Sequence, residues 1–320
     1  MKVAIIHDWL TGMRGGERCL EVFCELFPQA HLYTLLHVPG SVSPSIERMP
    51  IHTTFIQRLL RVINHYRYLL PLFPTAVEQI DLRGYDLILS SSHCVAKGII
   101  PPPDAFHLCY CHTPMRYVWD QYHVYFPTSR MRWPMRWIVP AVANYLRTWD
   151  VSSSHRVDHF VANSIHVAGR IKKYYGRDAD VVYPPVECQR FTVKPEKDTF
   201  YLMVTAMAPY KRVDIAVEAF NRLESPLVII GSGQEEGALR RRAAGNIRFL
   251  GWQPDEVVAE HYSRCRAFVF PGEEDFGITP VEAQAAGRPV VAYGRGGVLE
   301  TVISLDASGD RQPTGVFFHK

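Results

Sequence analysis

The chain has 320 residues, 47% of them apolar and 12% aromatic, which is material for about two packed domains and excludes a disordered or fibrous polymer. With 35 basic against 32 acidic side chains the net charge is +3, too small over this length to name nucleic acid as a partner, so any basic contact surface must come from local clustering. The seven cysteines, at 19, 24, 94, 109, 111, 188 and 265, are odd in number and lack paired spacings, which favours a reduced, cytoplasmic chain.

The opening run MKVAIIHDWL breaks off at His7-Asp8 and reads as a first strand rather than a signal peptide. No uncharged apolar window reaches about 18 residues, so the chain is expected to be soluble or to lie on a membrane. Short apolar runs at Val3 to Ile6, Leu32 to Leu35, Leu87 to Leu89, Leu108 to Cys111 and Phe160 to Ala162 predict strands buried on both faces. Glu17 to Leu26, Phe55 to Ile63 and Val167 to Tyr175 have helical periodicity. The alternation argues a mostly parallel sheet covered by helices. A polar, Pro-rich run around Pro184-Pro185 reads as a linker, and strands then restart at Tyr201 to Val204, Leu227 to Ile230, Ile247 to Leu250, Ala267 to Phe270, Val290 to Ala292 and Val316 to Phe318. The predicted fold class is α/β, with two doubly wound domains: an N-terminal domain over 1–185, a linker over 186–199 and a C-terminal domain over 200–320. Ligands of such folds bind beyond the carboxyl ends of the strands, here in a cleft between the domains, so loop residues should carry the function.

The richest segment is FPGEEDFGITPVEAQAAGRPVVAYGRGG, Phe270 to Gly297. Glu274 falls on a loop, and Glu282, eight positions later, falls in the first turn of a helix predicted to open near Pro280. Amides from Gly277 onward suit oxygen anions and hydroxyls. Thr279-Pro280-Val281-Glu282 also fits a capping box. In YLMVTAMAPYKRVDIAVEAF a strand, a loop and a helix opening near Lys211 place a cation at the carboxyl end of a strand. Arg212 is either a phosphate contact or a surface charge beside Asp214. In HDWLTGMRGGERCLEVF, Gly15 and Gly16 allow backbone to approach a phosphate at a helix start, or simply make a tight turn. Asp8 either orients a hydroxyl or caps a strand end. In CYCHTPMRYVWD, His112 stands at the carboxyl end of a strand as a ligand contact or a packed loop histidine. Zinc held by His107, Cys109, Cys111 and His112 is disfavoured, because His112 faces away from the two cysteines and no distal ligand pair completes the set. Gly231-Ser232-Gly233 closes a strand, and Ser91, Ser92, Asn163 and Ser164 end strands, where ligand contacts and caps are both open readings.

Glu274 and Glu282 around Phe276-Gly277, followed by GRPVVAYGRGG, resemble the donor-sugar signature of retaining glycosyltransferases of family 4, which have the GT-B fold of two facing Rossmann-like domains. The resemblance implies that Glu274 contacts the donor sugar, that the amides of Phe276, Gly277 and Ile278 hold sugar and phosphate, and that Glu282 binds ribose hydroxyls. It implies that Gly15 and Gly16 line the loop between donor and acceptor, that His112 meets the hydroxymethyl side of the sugar, and that Arg116 and Tyr117 line the acceptor pocket. Gly231 would bound the nucleotide. Where the family usually has an Arg five positions before the Lys, this chain has Ala206. The HTPMRY and PYKRVD segments look most like bacterial polysaccharide mannosyltransferases, which implies GDP-mannose as donor and a front-face, retaining transfer. No separate cofactor or metal is implied, since Lys211 and helix amides face the diphosphate.

Two further expectations follow. Four arginines between residues 48 and 77 (48, 58, 61, 67) and four between 121 and 148 (130, 132, 136, 147), without an acid in either run and beside Trp133 and Trp137, suit an anionic membrane surface as well as solvated edges of packed helices. A sugar or polyprenyl-diphosphate-linked acceptor would then enter from the N-terminal half, on the cytoplasmic face of the inner membrane. The run GVFFHK ends on a strand where the GT-B fold normally continues into helices, so the chain reads as truncated at its C-terminal end. The readings set against transfer are a GT-B epimerase or phosphorylase, and a non-catalytic nucleotide-sugar-binding module, the latter favoured by Ala206.

Overall fold

The computed structural model describes residues 1–127, 131, 133–307 and 312–319, the side chains of 60–65 excepted. It comprises two compact units, Met1–Pro185 and Val186–Lys320.

In the first unit β1 (Val3–His7) leads through α1 (Gly15–Leu26), β2 (His31–Thr34) and α2 (Pro44–Glu47) to β3 (Ile51–Thr53). A 3₁₀ segment, Phe55–Leu72, runs into α3 (Phe73–Glu78) and β4 (Leu87–Ser92). After a 3₁₀ turn at Ala96–Gly98 come β5 (Phe106–Cys111), α4 (Tyr122–Tyr125), α5 (Met135–Ser154), β6 (His159–Ala162), α6 (Ile165–Tyr175) and β7 (Asp180–Val181). The seven strands form one parallel sheet in the order β3-β2-β1-β4-β5-β6-β7. β1 shows why its apolar run does not alternate with polar residues: Ala4 and Ile6 pack into one core and Val3 and Ile5 into the other, on opposite faces. Each fully buried Ile or Leu there stabilises the unit by about 1.5–3 kcal/mol. The two outermost strands escaped the sequence reading because IHT and DV are too short and polar to carry a period. The helix predicted over Phe55 to Ile63 is instead the start of the longer 3₁₀ segment, opening on Thr54, whose Oγ1 accepts the Ile56 N–H.

A buried charge network ties α5 to this sheet. Lys97 Nζ lies 2.8 Å from Asp150 Oδ1 and donates to Ser153 Oγ at 2.7 Å, while Asp150 Oδ2 accepts from Trp119 Nε1 and Tyr175 OH, each at 2.8 Å. The side chains of Lys97 and Asp150 are 2% and 0% exposed. The opposite end of α5 stands clear of the core: Trp133 and Trp137 are 79% and 74% exposed, and Met135, Arg136 and Ile138 are exposed beside them. Arg130, Arg132 and the side chain of Arg61 lie outside the described residues. Among the described residues no helix is long and apolar enough to cross a membrane.

The second unit repeats the plan with β8 (Tyr201–Val204), a 3₁₀ turn at Pro209–Lys211, α7 (Val213–Leu223), β9 (Leu227–Ile230), α8 (Glu236–Arg242), β10 (Ile247–Gly251), α9 (Asp255–Arg264), β11 (Phe268–Phe270), α10 (Ile278–Ala285), β12 (Val290–Tyr293), α11 (Val298–Thr301) and β13 (Gly315–Phe318). Its parallel sheet has the order β10-β9-β8-β11-β12-β13. Residues 186–199, predicted as a linker, pack onto this unit. Phe191 is buried against Tyr262, and Arg288 Nη2 donates to the Lys194 carbonyl at 2.6 Å. In each sheet the strand order reverses direction between its first strand and the fourth, β1/β4 and β8/β11, which opens a crevice at the carboxyl ends of those strands.

Candidate functional site

At the β1/β4 switch point the chain gathers His7, Asp8, Ser91, His93 and His112. Parallel register sets His7 opposite Ser91 and Ser91 opposite Tyr110, so the ends of β1, β4 and β5 stand side by side. Ser91 Oγ is 3.0 Å from His7 Nδ1 and 2.9 Å from His112 Nε2. α1 opens at Gly15 with Arg14 as its N-cap, and Glu17 accepts the Arg14 N–H at 3.1 Å. The first amides of that helix, Gly15 and Gly16, are without intrahelical partners by position. A Cβ on Gly16 would sit 3.7 Å from the His7 ring and 3.8 Å from His112 Nε2, so the helix start lies directly against the imidazoles. Burial, with His93 and His7 nearby, pushes His112 down to about 3, which makes it a neutral ring.

Of the two sequence readings of Asp8, the structure shows the cap. The Asp8 side chain is fully buried. One oxygen accepts the N–H groups of His93 and Cys94 at 2.7 and 2.9 Å, and the other those of Val95 and Ala96 at 2.6 and 2.8 Å. The carboxylate thereby folds the turn after β4 around itself and brings His93 Nδ1 to 3.1 Å. His93, which sequence reasoning passed over, is the partly exposed group of this turn. The signal available was its place one residue beyond a predicted strand end. Tyr117, expected in an acceptor pocket, directs its hydroxyl to Cys94 Sγ at 2.6 Å, and Arg116 is half-buried beside it. Of the serines and the asparagine at strand ends, only Ser91 joins the imidazoles. Ser92 Oγ accepts the Lys97 N–H, Ser164 caps α6 through the Val167 N–H, and Asn163 accepts from Ser164.

At the β8/β11 switch point Lys211 Nζ lies 2.5 Å from Glu274 Oε2, both side chains being less than one-fifth exposed. Lys211 ends the 3₁₀ turn after β8, and Glu274 sits on the loop after β11. Gly272 allows the two segments to meet, since a Cβ there would lie 3.0 Å from the Lys211 Cα. The Glu274 loop rests on the glycines after β12: the Gly297 N–H donates to the Glu274 carbonyl at 2.9 Å, and Cβ atoms on Gly296 and Gly297 would fall 2.4 and 2.3 Å from the carbonyls of Glu274 and Asp275. Gly277, at φ 90°, is the N-cap of α10, so its early amides, among them Ile278, open toward the same loop, with Phe276 just before them.

The structure bears on four sequence readings here. α10 opens at Ile278, so Thr279 is inside the helix and the capping box with Glu282 does not form. Glu282 is buried instead. It accepts from Tyr262 OH at 3.0 Å and pairs with Arg190, a residue of the expected linker that sequence reasoning did not single out. Burial pushes its carboxyl up against the opposing pull of Arg190. Arg212, at φ 52°, turns outward and forms a two-point pair with Asp214 at 3.0 and 3.1 Å, the surface-charge alternative. Gly231 serves chain crossing: at φ 125°, its Cβ would lie 2.0 Å from the Thr205 carbonyl. Ala206 is exposed on that loop, and His107 is taken up by Ser90 and the Arg156 carbonyl. Among the described residues no group of three or more His, Cys, Asp or Glu side chains could hold a metal ion.

Residues 13–190 match the family model described as Glycosyltransferase Family 4, more than half of the chain. The chain belongs to that family. Residues 187–319 match the model described as Glycosyl transferases group 1. Among curated family relatives, D-rhamnosyltransferase WbpZ of Pseudomonas aeruginosa is 32% identical over 164 residues, covering 48% of this chain and 40% of that protein. O-antigen chain mannosyltransferase C of Escherichia coli is 36% identical over 102 residues, covering 30% of this chain and 28% of its own length. The chain thus spans less than half the length of these relatives. The solved structure of Anabaena Alr3699/HepE in complex with UDP and glucose aligns with a TM-score of 0.67 at 15% identity, over 99% of this chain and 85% of that one. That likeness is one of fold: the architecture is GT-B.

Proposed function

We propose that this family 4 chain transfers a hexose, with mannose from GDP-mannose preferred, to a hydroxyl of a sugar or polyprenyl-diphosphate-linked acceptor in polysaccharide biosynthesis, with retention at the anomeric carbon. The observation that carries the reading is the Lys211–Glu274 pair at the carboxyl ends of the central strands β8 and β11, beside the opening of α10. A cation and a carboxylate in contact there are matched to the two ends of a nucleotide sugar's reacting bond. Lys211 takes the leaving diphosphate, whose charge grows as the bond breaks, and Glu274 takes the sugar hydroxyls as a hydrogen-bond acceptor. The amides of Phe276, Gly277 and Ile278 add donors for phosphate oxygens. A diphosphate neutralised in this way requires no metal, so turnover in a chelator should equal turnover without one. The Escherichia coli relative, a mannosyltransferase by name, and the UDP and glucose held by HepE support a nucleotide sugar as substrate.

The test is acceptor-dependent turnover with GDP-, UDP- and ADP-sugars, the product's anomeric configuration being read by NMR. Lys211→Ala should lower kcat by about 10²–10³-fold while the fold is retained. Donor binding without turnover under any acceptor would favour the second reading, a nucleotide-sugar-binding module, for which the exposed Ala206 speaks because it supplies no cation to the diphosphate.

The acceptor side is proposed to rest on an anionic membrane surface through the start of α5. Trp133, Met135, Trp137 and Ile138 form an exposed apolar group beside Arg136, in a stretch without acidic residues from 121 to 148. Co-sedimentation with vesicles containing anionic lipid should fall when Trp133 and Trp137 are both replaced by Ser, and binding that is equal for the two proteins would exclude this surface.

A further inference from the structure

The turn that leaves β4 is built around Asp8, and His93 is its partly exposed side chain. Each Asp8 oxygen takes two backbone N–H groups at 2.6 to 2.9 Å. Four donors converging on one carboxyl leave no place for its proton, so Asp8 is an anion. His93 Nδ1 stands 3.1 Å from the oxygen that also holds the His93 and Cys94 N–H groups. A bare nitrogen there would set its lone pair against a charged oxygen, whereas a protonated one turns an N–H toward it. The ring therefore carries its proton on Nδ1 whether it is neutral or charged, and whatever the charge on His7. Trp9 packs against this ring at 88° with centroids 4.5 Å apart, which holds its orientation. Nε2 lies on the edge away from Asp8. Asp8 is fully buried while the His93 side chain is 28% exposed, and Nε2 has no hydrogen-bond partner among the described residues. Burial outweighs the pull of Asp8 and holds His93 below its ordinary 6.5, so at neutral pH Nε2 keeps its lone pair.

We propose that His93 binds the sugar that receives the transferred group: Asp8, as a positioning residue, turns the ring so that Nε2, at the carboxyl end of β4, accepts a hydrogen bond from a hydroxyl of that sugar. The β1/β4 reversal puts this nitrogen at the mouth of the first unit's crevice. A lone pair backed by a carboxylate repels phosphate oxygens and rewards an O–H donor, so it suits a neutral sugar and not the diphosphate end of a nucleotide sugar. The ring orientation stands on the geometry of the turn; naming the hydroxyl as that of a receiving sugar rests on the proposed function. Changing the side chain keeps the turn, because the hydrogen bond that Asp8 draws from residue 93 is the main-chain one.

The experiment is NMR of the full chain labelled with ¹⁵N-histidine, in which protonated and bare ring nitrogens differ in shift and His93 is assigned by loss of its signals in His93→Gln. At neutral pH the wild type should show Nδ1 protonated and Nε2 bare; the opposite pattern overturns the orientation. Methyl α-mannoside, a sugar without phosphate, should move the Nε2 signal, and inorganic phosphate should not. A signal moved by phosphate, by GDP-mannose but not by the mannoside, or by none of the three overturns the assignment. In turnover, His93→Ala should raise KM for the receiving sugar about three- to tenfold and leave KM for the nucleotide sugar unchanged. His93→Gln, whose amide oxygen reaches the place of Nε2, should recover part of the loss, and the shorter His93→Asn should not. Equal effects on both substrates, or Gln and Asn behaving alike, would reduce His93 to a part of the turn and overturn the proposal. If His93→Ala does not fold, the wild-type spectra decide alone. Absence of turnover in the wild type with any sugar nucleotide would sink the proposed function, while a mannoside shift at Nε2 would leave the hydroxyl site standing.

Discussion

Replacing Asp8 by Asn separates a structural from a reacting carboxylate. The Asn carbonyl can keep the Val95 and Ala96 N–H groups, but its NH₂ must face the N–H groups of His93 and Cys94, now held at 2.7 and 2.9 Å by an acceptor. Two hydrogen bonds to a charged group are lost, each contributing roughly 1.5–3 kcal/mol, so the variant should lose about 3–6 kcal/mol. Against a whole stability of about 5–15 kcal/mol this is a large fraction. Urea unfolding followed by tryptophan fluorescence reads it, because Trp9 packs edge-on against His93 with ring centroids 4.5 Å apart. A midpoint lower by about 2 M is expected. Acid should mimic the substitution. Burial alone would push the Asp8 carboxyl up, yet His93, His7 and the N–H bonds of His93 and Ala96 hold it below its ordinary 3.8. Its contribution is therefore complete above that ordinary value and is lost as pH falls through the lower native one. A variant that melts with the wild type while losing turnover would refute the reasoning and return Asp8 to the reaction itself.

Gly297→Ala should displace the Glu274 loop, since its Cβ would fall 2.3 Å from the Asp275 carbonyl; a drop in turnover greater than the drop in melting temperature is expected, and unchanged kinetics would contradict the account. Lys97→Met leaves the buried Asp150 carboxylate without its cation and should destabilise by about 3–5 kcal/mol, with much of the loss recovered by adding Asp150→Asn; equal losses in the single and double variants would show that the pair is not coupled. His107, driven down to about 4 by burial against the pull of the Arg156 carbonyl, is neutral in the native state, whereas the unfolded chain takes up a proton near pH 6.5. Its contribution, on the order of 3 kcal/mol, is present above 6.5 and lost as pH falls toward 4, so urea midpoints measured from pH 7 to 4 should decline less in His107→Gln.

Strands buried on both faces were legible because a doubly covered strand must be apolar at every position, as β1 and β9 are, and the edge strands β10 and β13 were legible from apolar runs of their own. β3 and β7 were not legible, being edges of three and two residues with no apolar run. In the candidate site the loop carrying Glu274 and the turn carrying Lys211 could be placed from strand ends and glycines, and a local pattern also marked His112. What local pattern could not carry was competition among partners. Asp8 and Glu282 are both acids at plausible positions, yet the backbone amides of residues 93–96 take up the first, and Arg190 with Tyr262 take up the second. The partners of Asp8 lie 85 to 88 residues away in the chain and those of Glu282 lie 20 and 92 away, beyond any motif.

The glycines at 296 and 297 hold the Glu274 loop by main chain against main chain. A support of this kind is indifferent to the side chains it carries. The carbonyls of Glu274 and Asp275 would keep their seats whatever side chains the tip carried, provided the two positions beneath it stay without a Cβ.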